Sequence, residues 1–234
     1  MKSTSILNNF FLLVVAMLLS ANLSAQKWEK DWTGEFSRLV VFGRVNVEIV
    51  PDGSGKITCS AEGLNTDAVK VTFKGGECVI KVNNLMKKEE NFDVKIVLGY
   101  NQLEFISVGG GAVVYSNEIV DLANAEIKAL SGGQFEAKIM GKNVNIDLMQ
   151  GAQMTLEGES ENLFVNCNTG ALLQAKELFV VKADLKANTG GIINIGEVSE
   201  LKSRANTGGV ITYLGEPKIF EVNTKLGGVV QQSN

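Results

Sequence analysis

The chain has 234 residues, a formal net charge of −4, 25 glycines against two prolines, three cysteines and no histidine. Both signs of charge are interspersed, which excludes the basic footprint of a nucleic-acid binder and the polybasic patch of a membrane-surface protein. The lack of histidine removes the commonest general base and the commonest metal ligand together.

In chain order, Lys2 precedes an apolar run, Phe10 to Leu19, and Leu23-Ser24-Ala25 ends in the small-residue pattern of a cleavage site. The pattern predicts a secretory signal peptide over residues 1–25, with an uncleaved membrane anchor as the alternative. The run is too short to span a bilayer, and no later stretch approaches the ~20 apolar residues a membrane helix needs. Gln26 follows the expected cut, so lipid acylation at this junction is not expected.

Residues 26–100 are predicted as short strands around glycine turns that cap a larger body. "RLVVFGRVNVEIVPDGSGKITCSAEG" (38–63) predicts strand, turn, strand, turn, strand, and "VKVTFKGGECVIKVNN" (69–84) predicts two strands about Gly75-Gly76. "NFDVKIVLG" (91–99) adds one more. Trp28, Trp32 and Phe36 form a sparse aromatic group that either packs on this cap or touches a sugar. Cys59 and Cys78 fall on strands expected to be neighbours, so a disulfide between them stays open beside three free thiols. Cys167 is expected inward, acting as a small hydrophobe.

Residues 101–234 repeat. Gly110, Gly132, Gly151, Gly170, Gly190, Gly208 and Gly227 are each followed by Gly or Ala, at intervals of 22, 19, 19, 20, 18 and 19 residues. Five residues before each stand Phe105, Ile127, Ile146, Val165, Leu185, Ser203 and Val222; three after stand Val113, Phe135, Met154, Leu173, Ile193, Ile211 and Val230. Apolar columns alternate with mostly polar ones at period two, the mark of strands with one buried face. A unit of about 19 residues is too short for a βαβ crossover and fits one coil of a parallel β-helix. The predicted fold is all-β: a right-handed, single-stranded parallel β-helix of about seven coils with an N-terminal β-rich cap, continuous as one domain with residues 26–100. In "ANTGG" (187–191 and 205–209) the asparagines Asn168, Asn188 and Asn206 and the following glycines are expected to turn the corners, the asparagines also bonding up the stack. The last coil is expected to end as an open strand edge.

The opening "LVVFGRVNVEIVPDGSGKITCSAEG" and the Gly-anchored coils with "NTGGIINIG" (188–196) resemble the head GIN domain family of auto-transporter adhesins, secreted proteins of Gram-negative bacteria. The likeness covers roughly residues 36–232. The tripeptide Gly-Ile-Asn itself is missing, the nearest text being Gly191-Ile192-Ile193-Asn194. The resemblance implies a right-handed β-helix and export. Within the 234 residues no autotransporter barrel follows, so self-export by that route is not expected.

No residue is assigned a catalytic, cofactor-binding or metal-ligating role. Glu104 and Glu126 are the one pair of like charges expected to stack on the outward face, the weak case for a polysaccharide lyase or hydrolase. Glu157, Glu159 and Glu161 alternate and read as a solvated acidic turn, or less well as a calcium site, since Asp/Asn and Gly spacing is missing. The three cysteines lack zinc spacing. The expected function is an exported, non-enzymatic adhesion module located in the periplasm, at the outer membrane or on the cell surface. Its expected partner is a protein or glycan surface ligand, not nucleic acid. A homo-oligomer formed through Val229 and Val230 of the open C-terminal coil is the structural alternative.

Overall fold

The computed structural model describes residues 28–83 and 92–233; the expected signal peptide lies outside them. The first half holds short strands: β1 Trp28–Thr33, β2 Arg38–Phe42, β3 Asn46–Val50, β4 Lys56–Glu62, β5 Val69–Lys74, β6 Glu77–Val82, β7 Asp93–Gly99 and β8 Phe105–Gly109. Long bent strands follow: β9 Val113–Leu130, β10 Gln134–Leu148, β11 Gln153–Asn168, β12 Leu172–Asn188 and β13 Ile192–Asn206. Three shorter ones close the chain: β14 Val210–Leu214, β15 Ile219–Lys225 and β16 Val229–Gln232. Among the described residues there is no α-helix, only one 3₁₀ turn at Thr66–Ala68.

From β9 onward every pairing is parallel and joins one coil to the next, so the chain winds a β-solenoid of about seven turns. The register stacks the apolar columns. Val114, Phe135, Met154, Leu173, Ile193 and Ile211 form one buried ladder, and Ile106, Ile127, Ile146, Val165, Leu185 and Ser203 form another. Ser203 is the polar rung, and its hydroxyl donates to the Glu221 carbonyl at 3.4 Å. The columns are buried because each alternate side chain faces apolar rungs above and below, at the ~4.8 Å strand spacing.

The first repeat sits one residue from where its glycine suggests. Ile106, not Phe105, pairs with Ile127, and Val114, not Val113, pairs with Phe135. The corner glycine equivalent to Gly132 is therefore Gly111. Phe105 is buried for a different reason: the Arg38 guanidinium lies 4.0 Å from its ring centroid and the Lys128 ammonium 5.7 Å away. Those cations cover an outward aromatic ring that would otherwise face water.

The corners are also built differently from the expectation. Two consecutive left-handed residues turn each one; the first is Gly110, Ser131, Gln150, Thr169, Thr189, Thr207 or Leu226, the three threonines at φ of 53°, 49° and 49°. The preceding asparagines do not adopt that conformation. β-Branched residues are the least suited to it, at a cost of ~1–2 kcal/mol per residue. The stack over-determines them. The amide of Gly170 donates to the Thr189 carbonyl, and that of Gly190 to the Thr207 carbonyl, both at 3.1 Å. Across each turn the Gly191 amide returns to Asn188, and that of Gly209 to Asn206, at 2.9 Å. The second glycine has its own reason, since a Cβ on Gly191 would overlap the Cys167 carbonyl oxygen of the coil before.

The N-terminal strands do not stack in sequence order. β2 pairs on one side with β6 and on the other with β8, while β3 lies between β7 and β9. The first pass of the chain is thus sandwiched between the second pass and the regular coils. Beyond it, antiparallel pairings of β4 with β7, β1 with β4 and β5 with β6 cover that end. Gly75 and Gly76, both at positive φ, turn the β5–β6 hairpin as the sequence suggests. Trp32 and Phe36 pack against the core, with Phe36 6.1 Å from Phe73 between ring centroids. For these two, packing is the role the structure gives; the Trp28 side chain lies outside the described residues.

All three cysteines are free and buried. Cys59 pairs with Ile96 on β7 and Lys30 on β1, whereas Cys78 pairs with Leu39 on β2 and Phe73 on β5. The two strands are not neighbours, which removes the disulfide. Burial pushes the Cys59 and Cys167 thiols up to about 11 and that of Cys78 to about 12, so these are inert packing groups.

Candidate functional site

Two outward faces of the stack differ in character. The first carries polar ladders. Asn162 donates to Asn143 at 3.0 Å, and Asn143 donates to Asn124 at 2.7 Å, three rungs of one column. That column continues into Lys182 and Glu200, paired at 3.1 Å. Asn206 donates to Asn188 at 3.0 Å, but Asn168 turns sideways to Asn166 at 2.9 Å. The expected Asn168/Asn188/Asn206 ladder is thus one bond long. The Asn124/Asn143/Asn162 ladder went unread, although its members stand 19 residues apart, eight before successive corner glycines.

Four carboxylates on this face are paired with cations, while Asp147 accepts from the Asn166 amide at 3.3 Å. Glu126 meets Lys128 at 2.7 Å, Asp184 meets Arg204 at 2.9 Å, and Glu221 meets Lys202 at 3.2 Å. Glu104 and Glu126 do not stack: the Cα partner of Glu126 is Phe105, and Glu104 lies outside the strand, where its carboxylate accepts from the Ser37 hydroxyl at 3.4 Å. A glycosidase pair needs two carboxylates flanking one glycosidic bond, one on the leaving oxygen and one on the opposite face of the sugar, and Glu104 and Glu126 are not held as such a pair.

The second face lies at the opposite bend, where β-bulges between Glu136 and Lys138, Thr155 and Glu157, and Ala175 and Val180 loosen the register. Bulges re-aim side chains: in β12 the consecutive exposed residues Lys176 and Glu177 shift the alternation and turn Phe179 and Val181 outward, while Met140 is outward by the regular alternation of β10. Ile119, Met140, Phe179 and Val181 are all exposed, Phe179 by 59%. They floor a groove of about 600 Å³ that runs from Met140 past Phe179 and Val181 to Gly215 and Lys218, with an adjoining hollow of about 400 Å³ reaching Ile119. The buried parts of the same strands, Ile139, Leu178 and Val198, hold these groups in place from below.

Six carboxylates rim the floor: Glu157, Glu159, Glu161, Glu177, Glu197 and Glu216. The Glu157/Glu159/Glu161 set therefore lies on strand β11, bulged at Gly158 with φ of 102°, and is not a turn. Among the described residues no group of carboxylates, cysteines or histidines is spaced to hold a metal ion. Lys138 and Lys218 are the cations in the lining.

A third hollow, of about 780 Å³, lies between the Thr33–Ser37 segment, the Gly53–Gly55 turn and Tyr100–Gln102. Four of its lining residues are glycines: Gly34, Gly53, Gly55 and Gly76. Tyr100 is buried with no partner for its hydroxyl among the described residues, and burial, with Glu118 and Asp121 nearby, pushes it up to about 12.

A family model described as "Putative auto-transporter adhesin, head GIN domain" matches residues 35–217. Among proteins of curated function, none matches. A "putative adhesin" from Bacteroides fragilis NCTC 9343 superposes with a TM-score of 0.78 at 16% identity, over 89% of this chain and 97% of that one. A "putative adhesin" from Parabacteroides merdae ATCC 43184 gives 0.69 at 15% identity, over 89% and 97%. A "putative lipid binding protein" from Parabacteroides distasonis ATCC 8503 gives 0.68 at 15%, over 91% and 98%. At these identities the likeness is one of fold.

Proposed function

This chain belongs to the head GIN domain family, and from that premise we propose that it is an exported binding module that holds a macromolecular ligand on a rigid β-helical face and performs no covalent chemistry. The observation that carries the reading is the set of exposed apolar groups Ile119, Met140, Phe179 and Val181 lining one groove of a hydrogen-bonded stack, with Glu159 standing between Met140 and Phe179. Apolar side chains gathered in a groove, rather than scattered singly, mark an interaction site. The stack supplies pre-organisation: the floor is set by buried neighbours and loses little freedom on binding. The adhesin descriptions of the family and of two structural neighbours support this reading. They also support placement at the cell surface or outside the cell; the expected signal peptide would take the chain across the cytoplasmic membrane, with the periplasm and the outer membrane as the alternative locations. No helix among the described residues is long and apolar enough to cross a membrane.

The test is an array of surface glycans and proteins probed with the exported chain, alongside assays for polysaccharide cleavage. The reading expects saturable binding that Phe179→Ala weakens about tenfold or more, by removing an aromatic anchor. Turnover of a polysaccharide, or saturable binding to nothing on the array, would overturn it.

A second reading, self-association, rests on a separate observation. Phe220 and Val222 occupy inward columns of the last coil yet are 49% and 44% exposed. β15 and β16 there each pair with one neighbour, so their outer backbone edges can extend the sheet into a second copy.

A further inference from the structure

Resting on that reading of the groove, we propose that its occupant is a basic segment of a partner protein whose lysine or arginine side chains are interleaved with apolar ones. Charge is the discriminating feature. On the ladder face Glu126, Asp184, Glu200 and Glu221 each have a lysine or arginine within 3.2 Å. None of the six groove carboxylates has an ion-pair partner among the described residues, although both faces are drawn from the same strands. Six anions against Lys138 and Lys218 leave the rim short of four positive charges, which an incoming cationic segment would supply. The same rim repels phosphate-bearing glycans and anionic lipid headgroups. A neutral glycan would cover the floor but leave the carboxylates uncompensated.

The order of groups along the rod sharpens the fit. Asp121, Met140, Glu159 and Phe179 are successive rungs of one column, so acid and apolar groups alternate. Rungs are spaced by ~4.8 Å, close to the ~5.4 Å pitch at which a helix presents one side chain per turn. Same-face residues of an extended chain recur at ~6.6–6.8 Å and drift out of step sooner. A basic amphipathic helix laid along the rod would place an apolar side chain on Met140, a cation on Glu159 and an apolar side chain on Phe179.

The experiment uses the full exported chain and a fluorescent 18-residue helical peptide whose one face alternates lysine and leucine. Saturable binding is expected, weakened about tenfold by Phe179→Ala and likewise by the combined Glu159→Gln, Glu161→Gln and Glu197→Gln changes. It should fall further as salt rises from 50 to 500 mM, since part of the attraction is between partly exposed charges. All these sites are exposed, and unchanged thermal melts would confirm that the variants fold. The proposal is overturned if the peptide fails to bind, if a version with glutamate for lysine binds equally well, or if the variants bind like wild type. A glycan whose binding depends on Phe179 while the peptide does not bind would overturn the basic-segment proposal and leave the binding-module reading standing.

Discussion

The two ends of the solenoid solve the same problem in different ways. At the N-terminal end the chain lays β2 and β3 first, slips β6 and β7 beneath them, and folds β1, β4 and β5 back antiparallel over the outside. Trp32, Phe36 and Phe73 then pack against the core there. At the other end the regular coil runs on to β15 and β16, and residues in inward columns stand half in water. A β-helix generates its own next binding surface at each turn, so an end must be closed by breaking the pattern. Regularity builds the rod, and irregularity finishes it.

This contrast predicts unequal costs for the same substitution. Phe135 is 1% exposed in the middle of the stack, and Phe135→Ala should cost ~3–5 kcal/mol for the lost burial and the cavity left behind. Phe220, 49% exposed in the last coil and 5.3 Å from Tyr213 between ring centroids, has far less burial to lose. Phe220→Ala should cost under ~1 kcal/mol. Urea unfolding of both variants checks this, and equal costs would mean that the last coil is covered in solution. The smallest effect on stability is expected from Val229→Lys, because that side chain is 42% exposed. If the open edge pairs two copies, sedimentation should show wild type as a dimer and this variant as a monomer with unchanged melting. A monomeric wild type would remove the self-association reading.

The regular stack was legible because its buried columns recur with a near-constant interval and a strict alternation. The first repeat was legible only to within one residue. Gly109, Gly110 and Gly111 offer three anchors in a row, and Phe105 and Ile106 are both buried, one of them under cations. Threonine at the corners was not legible, since local preference argues against it and hydrogen bonds to the next coil decide the matter. The swapped order of β2/β3 and β6/β7 depends on pairings between segments far apart in the chain, which periodicity does not encode. The groove escaped for a related reason. Met140 and Phe179 read as isolated outward apolar residues until the register places them two rungs apart, on either side of Glu159.

On the proposed reading, the bend lined by Met140, Phe179 and Val181 is where this protein holds its partner. Carbodiimide labelling of exposed carboxylates, read by mass spectrometry with and without a bound partner, tests it most directly. Glu159, Glu161, Glu197 and Glu216 are expected to become protected on binding while Glu126 and Glu221, on the ladder face, label as before. Protection confined to Glu126 and Glu221, with the groove carboxylates still reactive, would contradict it.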